Sequence, residues 1–198
     1  MLGRMIRLVS PLLLLPVLTM FALGAYEPET DYMQLMIEAA CAGDEAAGLA
    51  SQKSREEKLL ETGLRYESVD FTELYLLAKI IEAEAGSSWL TEEWKMAVGE
   101  VLLNRVASPE FPDTIEECIT QPGQYYGEGN EYFSSLVPSR ASVEAASKLL
   151  SGERVLGDAS VVFQANFPLG GGIFRELKDG ALGSTYLCFT SHPELYER

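Results

Sequence analysis

One histidine and three cysteines are all the imidazole and thiol ligands this 198-residue chain has. The cysteines, Cys41, Cys118 and Cys188, are far apart and form no C-x-x-C pair, so a thiolate metal site has no support. A Cys118–Cys188 disulfide formed after export and three free thiols both stand open. His192 sits in a polar tail with no companion ligands, as a solvated residue. No H-E-x-x-H and no nucleophile elbow occur, which removes the usual metalloprotease and serine-hydrolase frameworks. The glycine triplet Gly170 to Gly172 lacks the Lys-Ser/Thr of a phosphate loop and reads as a turn. Positive charge is scarce too: 15 Lys+Arg stand against 30 Asp+Glu, a formal charge of −15. A phosphate backbone or an anionic membrane surface would be repelled overall, so nucleic acid is excluded as a partner. No repeated unit is found, which excludes a solenoid.

Long apolar runs are missing except at the start of the chain. Arg4 and Arg7 precede an apolar stretch from Leu8 to Leu23 that carries Pro11 and Pro16, with Ala22 and Gly24 beyond. Residues 1–25 therefore read as a signal peptide or signal anchor, which places the remainder outside the cytoplasm. A membrane is expected to matter only through this segment, if it stays uncleaved. Residues 26–68 read as a helical spacer or hairpin: Tyr32, Met33, Met36, Ile37 and Ala40 recur at helical spacing, and Gly43-Asp44 breaks the run. One reading makes this segment a docking module for a protein partner of unknown identity.

What is present is concentrated between Asp70 and Val106, two helices with a Gly/Ser break. At about 100° per residue, Leu74, Leu77, Ile80, Ile81 and Ala85 share one apolar face of the first helix, and Glu84 projects from its middle. A carboxyl in apolar surroundings is costly to ionise and suits a proton donor; the other reading leaves Glu84 at the fringe of the helix end, exposed after Ala85. Glu82 points to the polar side with Tyr75 and Lys79. The second helix starts at Thr91, an N-cap followed by Glu92 and Glu93. Trp94, Ala97, Val98, Val101, Leu102 and the stem of Arg105 form its buried stripe, and Glu100 lies off it. Asn104 and Arg105 are read as holding neighbouring backbone.

Pro109 and Pro112 then enforce a turn, and Asp113 with Glu116 reads as a capping box. The loop QPGQYYGEGNEYF carries Gln121, Gln124, Tyr125, Tyr126, Tyr132 and Phe133. Amides and flat aromatic faces suit a sugar, which offers hydroxyls to bond and C–H faces to stack on. A helix follows from Ser139 to Leu150, closed at Gly152. VVFQANF alternates as a strand, with Gln164 and Asn166 on one face, and a second strand runs from Thr185 to Phe189.

The ordered set LLAKIIEAEAG, AVGEVLLNRVASPEFPDTI, QPGQYY and VVFQANF resembles the SleB-type cell wall hydrolase family, which includes spore-cortex-lytic enzymes, over roughly residues 74–189. The resemblance implies an α+β, mainly α, lysozyme-like domain with a small β-hairpin over residues 69–198, preceded by the helical segment. It implies cleavage of peptidoglycan glycan strands by a lytic transglycosylase, with Glu84 as the acid and Gln124 and Tyr125 on the glycan. Tyr126, Gln164 and Asn166 complete the expected substrate contacts, and no metal or cofactor is called for. Two departures stand out: Gly86-Ser87-Ser88 replaces the family's R-G-E in a stretch to N-R-V about two residues longer, and the family's aromatic- and His-bearing C-terminal strand appears as Thr185-Tyr186-Leu187-Cys188-Phe189 with no histidine. The alternative from another class is a non-catalytic glycan-binding or envelope scaffold protein that keeps the fold.

Overall fold

Asp70 and Thr91 open the two central helices as side-chain caps. In the computed structural model, which describes residues 30–62, 69–125 and 130–196, the Asp70 carboxylate accepts from the Glu73 N–H at 3.0 Å and starts α3, Phe71–Ala85. Thr91 Oγ1 accepts from the Trp94 N–H at 3.2 Å and starts α4, Glu92–Val106. Leu74, Leu77, Ala78, Ile80 and Ile81 of α3 are fully buried against α4 and α7 (Arg140–Leu150). Helix α7 contributes Val143, Ala145, Ala146 and Leu149 to the same core. Its N-cap is Ser139, as its sequence predicts.

The segment before α3 forms two helices. From α1, Tyr32–Ala42, the side chains of Met36, Ile37, Ala39 and Ala40 join the core beside α3 and α7. The chain from Asp31 onward is one compact unit. Helix α2, Glu45–Thr62, is mostly solvated and buries only Gly48. Gln52 ties it to the start of α3: its Oε1 accepts from the Phe71 N–H at 2.7 Å and its Nε2 donates to Asp70 at 3.2 Å. The Phe71 ring lies flat on Gly48, where a Cβ would stand 2.1 Å from ring carbons. Alanine is worth about 1 kcal/mol over glycine inside a helix, but that clash forces a buried ring to move, at about 1–3 kcal/mol. Gly48→Ala is therefore expected to lower the urea midpoint rather than raise it.

Helix α5, Ile115–Thr120, starts one residue later than the proline-rich turn suggests. Thr114, not Asp113, is the cap: its Oγ1 accepts from the Glu117 N–H at 3.2 Å and donates to the Glu117 carboxylate at 2.9 Å. The same box has slid by one position because Thr114 and Glu117 repeat the spacing of Asp113 and Glu116. A short α6, Glu131–Ser135, precedes α7.

The sheet has three strands where the sequence indicates two. Strands β1 (Val161–Ala165), β2 (Gly172–Asp179) and β3 (Gly183–Phe189) are antiparallel in the order β1-β3-β2. Strand β2 is an edge strand bearing Arg175, Glu176, Lys178 and Asp179, and its two faces are both partly solvated. That removes the hydrophobic alternation by which a strand is recognised. A bulge between Val161 and Phe163 also breaks the alternation expected of β1, so Val161 and Val162 are both buried. The sheet packs Val161 and Leu187 against Ala97 and Val101 of α4.

Candidate active-site groove

Glu84 is the penultimate residue of α3, and it is exposed. This corrects the expectation that neighbouring hydrocarbon side chains cover it and agrees with the other reading, an exposed residue at the helix end. Its direction around the helix is the one expected, between Leu77 and Ile80, but a helical wheel gives angle and not height. One turn earlier that face is roofed by the core; at the last turn the roof has ended and a groove begins.

Two neighbours hold this turn. From α4, the Lys95 ammonium, only 2% exposed, donates to the Ala85 carbonyl and to that of Ser87 at 3.4 Å. A cation on the carboxyl end of a helix satisfies free carbonyls and complements the helix dipole. Burial pushes the Lys95 pKa down, and Glu82 opposes that. From the other side, Glu82 accepts from the Ser139 N–H at 3.0 Å and from the Ser139 and Ser142 hydroxyls at 2.6 Å each. Glu82 is thus half-buried and bonded to the start of α7, rather than on a solvated face. Burial alone would raise its pKa, but the serine hydrogen bonds hold it below the ordinary 4.5. A carboxyl depressed in the folded state adds stability above its unfolded pKa and loses it as pH falls through the folded value. The stability advantage of the parent over Glu82→Gln is therefore expected to shrink below pH 4.5, as read from urea unfolding across the acid range.

Two cavities open from the Glu84 turn, of about 250 Å³ and 240 Å³, and Glu84 and Gln164 line both. The first runs between Leu90, Trp94 and Val98 on the helical side and Asn166, Leu182, Ser184 and Thr185 on the sheet. The second is walled by Arg105, Gln124, Tyr125, Phe163 and Leu169. Glu84, Gln124, Tyr125, Gln164 and Asn166 are thus brought to one groove, whereas Tyr126 lies outside the described residues. Among the described residues, Glu84 is the one carboxylate lining either cavity.

Arg105 organises the second cavity. Its Nε donates to the Val162 carbonyl at 2.6 Å and its Nη1 to Gln124 Oε1 at 2.9 Å. The guanidinium lies 5.1, 4.8 and 5.8 Å from the ring centroids of Phe111, Tyr125 and Phe163. With its carbonyl engaged, Gln124 offers the groove an N–H donor. The backbone-holding role expected of Arg105 is present, but its place in the cavity wall went unread. The i, i+4 pair Trp94 and Val98 was a signal for the first cavity, since both lie on one stripe of α4 beside the α3 terminus. Ser184 and Thr185 had no such signal, because only strand register brings them there.

Two buried polar atoms in this groove have no hydrogen-bond partner among the described residues, the Tyr125 hydroxyl and Gln164 Oε1. Burial pushes the Tyr125 pKa up to about 12, with Arg105 opposing and Glu84 adding. An unsatisfied buried polar group costs about 1–3 kcal/mol. Both line the cavity that Glu84 and Arg105 share.

Residues 91–167 match the model of the Cell Wall Hydrolase family. The match bears out the resemblance read from the motifs and supports a peptidoglycan-degrading function. It takes in Arg105, Gln124, Tyr125, Gln164 and Asn166, and it begins just beyond the helix that carries Glu84. No curated protein and no solved structure gives a significant match. The mainly helical α+β architecture expected of such a domain is the one observed. Among the described residues no helix is long and apolar enough to cross a membrane, and the apolar run from Leu8 to Leu23, read as signal or anchor, lies outside them. Cys41, Cys118 and Cys188 are free thiols, so the Cys118–Cys188 pairing is not formed. Among the described residues no group of three or more His, Cys, Asp and Glu side chains is placed to hold a metal ion. His192 is exposed, 3.2 Å from Glu194.

Proposed function

We propose that this protein is a peptidoglycan lytic transglycosylase, acting on the bond between muramic acid and glucosamine, with Glu84 as its single acid and base. Glu84 gives its proton to the glycosidic oxygen as the C1–O bond breaks. The resulting carboxylate then takes the proton of the muramyl C6 hydroxyl, which closes onto C1. The products are a 1,6-anhydromuramyl end and a free glucosamine hydroxyl, and no water is consumed. A glycan strand lying in the groove would cover the carboxyl that solvent reaches in the empty protein, and a covered carboxyl favours its proton-bearing form. Gln124, Tyr125, Gln164 and Asn166 would orient the sugars through the donors and acceptors described above. Tyr126 is proposed as a further sugar contact on the sequence pattern alone.

The observation that carries this reading is the position of Glu84 as the sole carboxylate among the described residues lining both cavities, with an unpaired acceptor and an unpaired hydroxyl beside it. Glycoside hydrolysis normally needs a second carboxyl at roughly 5–5.5 Å or 6.5–9.5 Å, and among the described residues the groove lining supplies none. The test is incubation of the purified protein with peptidoglycan and mass spectrometry of what is released. Anhydromuropeptides are expected; new reducing ends would replace the transglycosylase by a hydrolase. A second reading, a glycan-binding protein without catalysis, is favoured by the exposure of Glu84 in the free protein. Binding with no release of any product would establish it. The substrate places the site of action outside the cytoplasm.

A further inference from the structure

Trp89 has no part in the groove described so far, and it is 60% exposed. Its neighbour Leu90 does turn inward. The turn closed by the Leu90 N–H to the Ser87 carbonyl, at 3.1 Å, drives Leu90 into the wall of the first cavity and leaves the Trp89 ring outside. On the opposite wall, the Asp179 carboxylate accepts from the Ala181 and Leu182 N–H groups at 2.9 Å each and shapes the turn between β2 and β3. Leu182 of that turn lines the same cavity. The Trp89 side chain hydrogen-bonds to Asp179. Leu90 on one wall and Leu182 on the other thus enter the cavity, and the indole reaches from one wall to the turn of the other at its rim.

A tryptophan whose only polar atom is engaged has nothing further to offer but its flat face. Held by that bond, the ring loses little freedom when something stacks on it, which lowers the entropic cost of binding. The cavity beside it is lined by Leu90, Leu182 and Asn166 among others. We propose that Trp89, held by Asp179, is a stacking platform for a neutral sugar of the glycan strand one position beyond the first cavity, so that the protein distinguishes long strands from short ones. The proposal rests on the groove being a glycan site, and not on whether Glu84 is catalytic.

The test uses the full chain carrying Glu84→Gln, so that ligand is not consumed, titrated with soluble uncross-linked glycan strands of defined length. Adding Trp89→Ala is expected to weaken binding of long strands about tenfold and to leave the shortest bound fragments unchanged. Trp89→Phe, which keeps a flat face but not the N–H, is expected to recover part of the loss. The chain has two tryptophans, so a blue shift of emission on adding long strands, lost with Trp89→Ala, reports sugar covering this ring. Equal affinity for long strands with and without Trp89, or an equal loss at every length, overturns the platform and leaves the groove standing. Failure of the Trp89-containing protein to bind any strand overturns the platform and the glycan reading together.

Discussion

Glu84→Gln is expected to lower the release of anhydromuropeptides by at least about 10²–10⁴-fold, the range attributed to a positioned general acid. The amide keeps the shape and hydrogen-bonding reach of the side chain but can neither give up a proton nor take one from the C6 hydroxyl. Stability should change by no more than about 0.5 kcal/mol, because the side chain is exposed and the core is untouched. Glycan affinity should also persist, since Gln124, Tyr125, Gln164 and Asn166 remain in place. The measurement is a time course of muropeptide release for both proteins at matched concentration, with thermal unfolding alongside. Undiminished release from the variant would remove Glu84 from the chemistry.

The largest expected effect on stability belongs to the other glutamate of the central pair. Glu100 is 1% exposed, and its carboxylate accepts from the N–H groups of Val155, Leu156 and Gly157 at 2.6, 2.9 and 3.2 Å. Glu100→Ala leaves those donors without a partner, at a cost of about 3–4 kcal/mol, which for a chain of this size means a melting temperature lower by roughly 10 °C. Glu100→Gln keeps one acceptor oxygen and should recover part of that. Urea unfolding of the three proteins decides it; a loss below about 1 kcal/mol for the alanine variant would show that the three bonds do not clamp this segment.

The consequence reaches the groove. Asn104, one turn on, donates to the Asp158 and Val161 carbonyls at 3.0 Å each, and Arg105 donates to that of Val162. Glu100, Asn104 and Arg105 thus form a ladder along α4 that grips residues 155–162, and that segment leads directly into Gln164 and Asn166. The N-R pair, read as holding backbone, is the lower half of this ladder. Glu100 is its upper half, although the pattern of apolar residues set it outside the buried stripe. Hydrophobic periodicity is blind to a carboxylate buried by its hydrogen bonds, because the partners lie more than fifty positions away.

The same division runs through the rest of the molecule. Local chemistry was enough to start α3 at Asp70, α4 at Thr91 and α7 at Ser139, since a cap is a contact between residues three apart. It was enough to gather Gln124, Tyr125, Gln164 and Asn166 as sugar-facing candidates and to aim Glu84 toward one side of its helix. Strand β2 escaped because an edge strand with two wet faces carries no alternating signal.

What the amino-acid order determined by itself was where helices begin and in which direction each side chain leaves them. Whether Glu84 ends in a core or in an open groove, and whether Glu100 ends in water or in a cage of backbone donors, was decided only when distant segments packed. Exposure is a property of what lies alongside a residue, and for both glutamates what lies alongside comes from the far end of the chain.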